Sequence, residues 1–452
     1  MRRSLAILTL PLALLLSACT EEEDPCSPDN QKASLLEVVA SWYLYPELVP
    51  AVDPALYSGT ADLLDALTAN ARAAGKDRGW SHVTTLGEQR QFFAEGTSVG
   101  FGFGYLVRGS QLFVSQVFPN SAADGQGFVR GDEITAIGND PASMVPAADL
   151  IAAGTVGEAV GPATPGLTRT FDVVPRVGAP TQRTMTKGTF DLDPVRFSFI
   201  DRDGNGTTET GYLLLRTFIT PANAKLRQAF AAFKAAGVTD VIVDVRYNGG
   251  GLLDTAELLA DLLGLGRGPA TNPQVMYRWR NNSLHQALDL QIPFTDQPES
   301  MNPGRIAFVV TKASASASEL VPNVLEPYEG ASLALVGAQT YGKPVGQRVF
   351  VSERCDLALY LVSIHLVNAQ DEGGYFAGLP TASFTGCGIL ADDDLTREMG
   401  DPLESSTAAA LAWLDPAATC PATMTPLVSR PADRYPEAPA PTEAQRQVPG
   451  LF

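Results

Sequence analysis

The sequence predicts a multidomain α/β protein, on three observations. At 452 residues the chain is too long for one compact core, so two or three domains are expected. The stretch Ala222–Ala236 puts Leu226, Phe230 and Phe233 on one helical face, stops at Gly237 and feeds straight into the β-branched run Val238–Val245. Strand–helix alternation of this kind stacks into α/β layers. Upstream, from Ser98 to about Lys187, the pattern changes to short alternating runs broken by glycine turns, which marks a separate β unit.

Residues 1–18 read as a signal segment: Arg2 and Arg3 precede an apolar stretch, Leu5–Leu16, too short to span a bilayer with ease. It ends in Leu16-Ser17-Ala18-Cys19, which resembles the lipobox of bacterial lipoproteins, in which small residues precede a cysteine that is lipidated. That resemblance implies a lipid anchor on Cys19 and a place in the bacterial cell envelope. Thr20 leans toward the outer membrane, with the protein facing the periplasm or the cell surface. Residues 19–33, with Glu21-Glu22-Glu23-Asp24, then read as an acidic, solvated tether.

Residues 34–97 read as helical. Leu35, Leu36, Val38, Val39 and Trp42 recur at helical spacing, as do Leu63, Leu64 and Leu67, and such stripes are core contacts. His82, in Gly79-Trp80-Ser81-His82, reads as a packed or hydrogen-bonded residue rather than a ligand. In the β unit at 98–187, Gly100-Phe101-Gly102-Phe103 is followed by Pro119-Asn120-Ser121-Ala122-Ala123 and Gly131-Asp132-Glu133-Ile134. Together these resemble a PDZ domain. The resemblance implies a peptide-binding, carboxylate-reading loop at Gly100, Phe101, Gly102 and Phe103, with extended C-terminal peptides added as a strand.

The region 188–414 carries the chemistry. Its first motif, Asp201-Arg202-Asp203-Gly204-Asn205-Gly206, has the oxygen spacing of a calcium loop, but Tyr212 stands where the closing Glu belongs. Between Phe197–Ile200 and Tyr212–Leu215 it reads as a hairpin tip, and no metal is expected. Next, Val241–Arg246 runs into Tyr247-Asn248-Gly249-Gly250-Gly251, with Asp254 and Glu257 forming a capping-box-like start to a helix from Thr255 to Leu263. A strand, a glycine turn and a helix can aim backbone N–H groups outward at an anion. Then Ile306–Val310 reads as a buried strand before Ser314-Ala315-Ser316-Ala317-Ser318-Glu319, a small-residue turn opening a helix. After a further strand, Leu333–Val336, a lone lysine sits in Tyr341-Gly342-Lys343-Pro344-Val345-Gly346-Gln347.

These last motifs resemble the carboxy-terminal processing proteases, the S41 family of Ser-Lys peptidases, over about Ser34 to Leu414. The resemblance implies a crotonase-like catalytic domain preceded by the PDZ-like unit and needing no cofactor. Residue by residue, Ser316 matches the nucleophile, Lys343 the general base and Gln347 the residue that orients it. The amides of Gly250 and Ala317 match the oxyanion hole, with Gly249 an alternative for the first. Lys312-Ala313, Ala338-Gln339 and Pro344 depart from the family pattern, and Pro322 and Pro327 fall inside the helix after Ser316, where a proline removes a hydrogen bond. The chemistry is coherent: a serine hydroxyl needs a base, and burial lowers a lysine's pKa because the ammonium loses hydration. The three histidines, His82, His285 and His365, form no recognisable triad. The expected partners are peptides and proteins with free C-termini, and the alternative is a non-catalytic peptide- or ligand-binding lipoprotein on the same scaffold.

The formal charge of −18 argues against a nucleic-acid partner, whose phosphates would be repelled. Besides Cys19, the cysteines are Cys26, Cys355, Cys387 and Cys420, an even number that suggests two disulfides in an exported protein. Cys355 with Cys387 is the favoured pair. Residues 415–452 are proline-rich and expected to be extended or disordered.

Overall fold

A computed structural model describes residues 24–202, 204, 206–420 and 433–434. Cys19, the signal segment, residues 19–23 of the tether, two residues of the Asp201–Gly206 motif and most of the 415–452 tail lie outside the described residues. The rest of the expected tether is not a solvated linker: Cys26 is bonded to Cys355, and the helix Pro28–Trp42 begins inside it. The fold is a layered α/β arrangement of several sheets. A six-stranded sheet carries, in order, Val195–Ile200, Thr210–Leu215, Asp240–Asp244, Ile306–Val310, Leu333–Gly337 and Cys387–Leu390. Its first pair is an antiparallel hairpin, and the remaining neighbours run parallel.

The inner parallel strands Asp240–Asp244, Ile306–Val310 and Leu333–Gly337 are buried along their whole lengths, as they must be when both faces are covered. One face packs against the helices Thr220–Ala236, Leu253–Leu263 and Ala317–Glu329, through Leu226, Phe230, Phe233, Leu259 and Leu325. The other is covered by Ser405–Leu414, whose Trp413 and Leu414 lie on Ile242, Ala307 and Val309. The predicted helix is present as Thr220–Ala236, and Gly237 closes it with φ +71°, the left-handed cap that glycine supplies at no steric cost.

A second, five-stranded antiparallel sheet joins His82–Thr84, Val275–Arg280, Leu290–Pro293, Val345–Ser352 and Leu357–Asn368. The N-terminal helices Pro28–Trp42 and Thr60–Leu67 bury Leu35, Val39, Leu63, Leu64 and Leu67 against its Leu359, Leu361 and Val362. The expected helical stripes are therefore core contacts. His82 stacks on Tyr360 with ring centroids 4.8 Å apart, and its Nδ1 lies 2.8 Å from the Trp80 carbonyl.

A third sheet runs through Phe103–Arg108, Gln111–Val117, Glu133–Gly138, Thr168–Val174 and Thr181–Thr186. It has its own core of Phe101, Phe103, Phe128 and Phe171. A two-stranded ribbon, Thr97–Gly100 with Gly188–Asp191, joins the points where the chain enters and leaves it.

Two expectations are corrected. The disulfides are Cys26–Cys355 and Cys387–Cys420, with Cα atoms 5.3 and 5.5 Å apart, and not Cys355–Cys387. Cys355 follows Val345–Ser352 of the five-stranded sheet while Cys387 opens an edge strand of the six-stranded one, so each finds its partner in a terminal segment. The capping box at Asp254 and Glu257 is also absent. The helix starts at Leu253 after Leu252, without a side-chain cap, because Glu257 is taken by the Tyr277 hydroxyl at 2.5 Å.

Candidate active site

The site forms where the strands Asp240–Asp244 and Ile306–Val310 end, the place at which parallel α/β sheets leave a crevice. Two loops emerge there and are stitched together by Asn248. Its side-chain N–H donates to the Leu215 carbonyl at 2.8 Å, and its own carbonyl accepts from Ala315 N at 3.0 Å and Ser318 Oγ at 2.8 Å. Ser314 Oγ adds a bond to the Val245 carbonyl at 2.8 Å. The small residues of Ser314–Ser318 are thus needed because the two loops touch at backbone distance.

Ser316 caps the helix Ala317–Glu329 with φ 56° and ψ −116°. A non-glycine residue in that region is strained, at a cost of about 1–3 kcal/mol, and such residues cluster at functional sites. Gly250 is pressed against it: a Cβ there would stand 2.8 Å from Ser316 Cβ and 2.9 Å from Ala317 N. Only glycine, here at φ +105°, lets the turn approach the serine so closely. The helix continues through Pro322 and Pro327 without a break.

Glu319, the last residue of the serine motif, is fully buried and organises the rest. One carboxylate oxygen accepts from Ser316 N at 2.9 Å and Lys343 N at 2.8 Å, the other from Gly342 N at 2.6 Å and the Thr340 hydroxyl. Burial pushes the Glu319 carboxyl up from its ordinary value, and these four donors oppose that shift. The serine-bearing helix and the lysine loop are therefore held in register by one side chain.

Lys343 is buried, and its Nζ donates to Gln347 Oε1 at 2.8 Å. Gln347 in turn donates to the Trp80 carbonyl, and the amine lies 5.8 Å from the centroid of the Trp80 ring. Desolvation brings the Lys343 pKa down to about 8, against smaller opposing effects of Asp77 and Glu319. At pH 7 roughly a tenth of such a lysine is neutral, where a solvated one is neutral in well under a thousandth of molecules. The Ser316 hydroxyl and the Lys343 amine are not hydrogen-bonded to one another; catalytic contacts in unliganded proteins are often longer than in the complex.

The structure therefore brings Ser316, Lys343, Gln347, Gly250 and Ala317 into one place, although Gly250 does not offer a free N–H there. The Gly250 N–H already donates to Asn248 Oδ1 at 2.9 Å. Among the described residues, the N–H groups of Gly249, Gly251 and Ala317 have no hydrogen-bond partner, so Ala317 and either of these two glycines are open to an anion.

Gly100–Phe103 lies elsewhere, where the ribbon strand Thr97–Gly100 passes into the third sheet. The Phe101 and Phe103 side chains are in the core of that unit, stacked with centroids 6.2 Å apart, with Phe103 on Phe128 at 5.7 Å. What this loop can present to a peptide is backbone. Gly102, at φ +81°, leaves no room for a side chain, since a Cβ would meet Ser121 Cβ at 2.0 Å.

Sequence reasoning passed over several residues that shape the site. Trp80 and Asp77 come from the N-terminal region, and Arg78 donates to the carbonyls of Tyr341 and Gly342 at 2.9 and 2.6 Å. A buried ionic cluster below the glycine turn was also missed. Arg130, from the third sheet, meets Asp393, and its Nη1 reaches the Tyr247 hydroxyl at 2.7 Å. Arg246 meets Asp244, Asp393 and Glu404 at 2.7, 3.1 and 2.9 Å. Apart from the neighbours Asp244 and Arg246, these contacts are not legible in one sequence, because the partners are more than a hundred residues apart.

A layered α/β fold that sets a strained serine at a helix N-terminus beside a desolvated lysine has the layout of a serine-type hydrolase. Residues 209–372 match the model of peptidase family S41, and over this span the chain carries an S41 peptidase domain. The chain is 26% identical over 173 residues to a carboxyl-terminal-processing protease of Picosynechococcus, covering 38% of this chain and 37% of the relative. It is 24% identical over 281 residues to a protein of Staphylococcus epidermidis described as a CtpA-like serine protease, covering 60% and 50%. The chain spans about a third to a half of the length of these curated relatives. The crystal structure of a Bacteroides fragilis protein assigned as an S41 protease superposes with a TM-score of 0.60 at 24% identity, covering 84% of this chain and 96% of that one. That likeness is one of fold.

Proposed function

We propose that the protein is a serine endopeptidase of the cell envelope that cleaves proteins or peptides near their C-termini through a Ser316–Lys343 dyad. The observation that carries this reading is the Lys343 amine: buried, brought down to a pKa of about 8 and held by Gln347, while its backbone shares a Glu319 oxygen with Ser316. A structural lysine has no need of such an environment.

In this reading the neutral Lys343 amine takes the Ser316 Oγ proton as the oxygen attacks a peptide carbonyl. The developing oxyanion meets the amides of Ala317 and of Gly249 or Gly251, each such donor being worth roughly 2.7–4 kcal/mol. The Lys343 ammonium then returns the proton to the leaving amine. The acyl group on Ser316 is released by a water that the same amine deprotonates. No cofactor enters these steps.

The domain assignments follow the same reading: a crotonase-like catalytic domain at 188–414 and a PDZ-like unit at 98–187, whose Gly100–Phe103 backbone takes the substrate's terminal carboxylate. A lipid on Cys19 would hold the protein at the membrane, and Cys19→Ser should then release it from the membrane fraction or leave it unprocessed.

The direct test is to incubate the purified protein with unfolded model substrates and read the products by mass. Fragments cut near the C-terminus, abolished by Ser316→Ala, are expected. Absence of any cleavage across a panel of substrates with free and apolar C-termini would rule out the peptidase reading.

A further inference from the structure

The strand Phe103–Arg108 lies at the edge of the third sheet, with Gln111–Val117 on one side. Its other side is covered by a segment from far along the chain: Asp433 pairs with Arg108 and Arg434 with Val107, antiparallel. The sequence limits this pairing to a short stretch. Pro431 and Pro436 bracket Ala432-Asp433-Arg434-Tyr435, and proline has no N–H to continue a ladder.

The direction of the pairing carries the argument. Residue numbers rise along the tail as they fall along Phe103–Arg108, so the tail's C-terminal direction points at the Gly100–Phe103 loop. A peptide that adds as a strand and delivers its terminal carboxylate to that loop must lie on this same edge with this same polarity. The tail also stays close at hand. Cys420, thirteen residues before Asp433, is fixed to the six-stranded sheet through Cys387. A tethered segment with a span this short acts at an effective concentration on the order of millimolar.

We propose that Asp433 and Arg434 form an intramolecular ligand of the Phe103–Arg108 edge, occupying the place of an incoming peptide, which must displace them. This rests on the peptide-reading role given above to the Gly100–Phe103 loop. The pairing is short enough to yield to a peptide that makes more bonds, and it screens the edge from weak ones.

The test compares full-length protein with the full-length double variant Asp433→Pro, Arg434→Pro, both carrying Ser316→Ala so that no probe is cut. Hydrogen exchange reports on the edge, and a fluorescein-labelled decapeptide ending in Ala-Leu-Ala with a free carboxylate reports on its occupancy. Exchange at Val107 and Arg108 should be faster in the variant, and the peptide should bind it about tenfold more tightly, the factor for an edge about nine-tenths covered. Equal exchange in the two proteins overturns the proposal. Faster exchange with unchanged affinity also overturns it, since the tail would then dock without competing. If the peptide binds neither protein although exchange differs, the peptide-reading role has failed and the tail is a structural strand only.

Discussion

The backbone N–H groups of Ser316 and Lys343 converge on a single oxygen of Glu319, at 2.9 and 2.8 Å. The proposed nucleophile and base lie 27 residues apart on different elements, one opening a helix and the other in the loop after a strand. One buried carboxylate thereby sets the distance between them. Its other oxygen fixes Gly342 and Thr340, so the whole lysine loop hangs from the first turn of the serine helix.

Glu319→Gln should therefore damage the site out of proportion to its size. The amide has one acceptor oxygen where the carboxylate has two, and its NH2 would face two N–H donors. Leaving buried donors unsatisfied costs about 1–3 kcal/mol each. A loss of about 2–4 kcal/mol in urea unfolding is expected on that basis, with cleavage falling by at least about tenfold through misplaced reacting groups. Wild-type stability and rate in this variant would show that Glu319 does not position the pair.

The ionic cluster below the glycine turn gives a second prediction. Arg130 and Arg246 hold the Asp393 carboxyl well below the usual carboxylate range although it is fully buried. A depressed folded-state pKa contributes stability that is present above the unfolded carboxylate value and is lost as pH falls below about 4. Asp393→Asn should cost about 3–5 kcal/mol at neutral pH, because it leaves two buried guanidiniums short of a partner. It should also flatten the acid limb of the stability curve. An unchanged acid midpoint would mean that other carboxylates govern acid unfolding.

Much of this architecture was legible in the sequence, for reasons that differ by element. The strand–helix alternation at Ala222–Val245 and the apolar run Ile306–Val310 follow from periodicity, since the buried face repeats locally. That Ser316, Lys343 and Gln347 belong to one neighbourhood was legible because each sits in a short local motif, a small-residue turn opening a helix or a lone lysine in a glycine-flanked loop. The disulfides were not, because Cys26 and Cys355 meet across 329 residues and no local rule selects that pair. Which glycine of 249–251 turns its N–H outward was not legible, because it depends on contacts such as that of the Gly250 N–H with the Asn248 side chain. Which way the Phe101 and Phe103 side chains turn was not legible, because a loop motif carries no information on it.

That last point is testable. Phe101→Ala and Phe103→Ala should act as core truncations, each costing about 3–5 kcal/mol of the stability of the 98–187 unit. They should not act as changes of peptide selectivity. In the proposed reading the carboxylate is held by backbone, so amidating a substrate's C-terminus should slow cleavage in wild type while a short peptide that reaches the site unaided is unaffected. If Phe101→Ala keeps full stability and alters only which tails are cut, the side chain faces the peptide after all.

The proton inventory of the site supplies the last prediction. Lys343 has its pKa brought down to about 8 by burial, so its neutral, base-competent form grows as pH rises through that value. The rate with a short peptide should climb from pH 6 and level off above about 9, with an apparent pKa near that of the lysine in the free protein. Ser316→Ala and Lys343→Ala should each lower kcat by about 10³-fold or more, and the double variant should be no worse than either, because the two act as one unit. Lys343→Arg should be equally inactive, since a guanidinium keeps its proton at any working pH. Gln347→Ala should be milder, about ten- to a hundredfold, because it removes orientation and leaves the proton acceptor. Each variant should retain its melting temperature to within a few degrees, which separates loss of chemistry from loss of fold. Full activity in Lys343→Arg, or a rate independent of pH between 6 and 9, would remove Lys343 as the base and leave the buried amine without its proposed role.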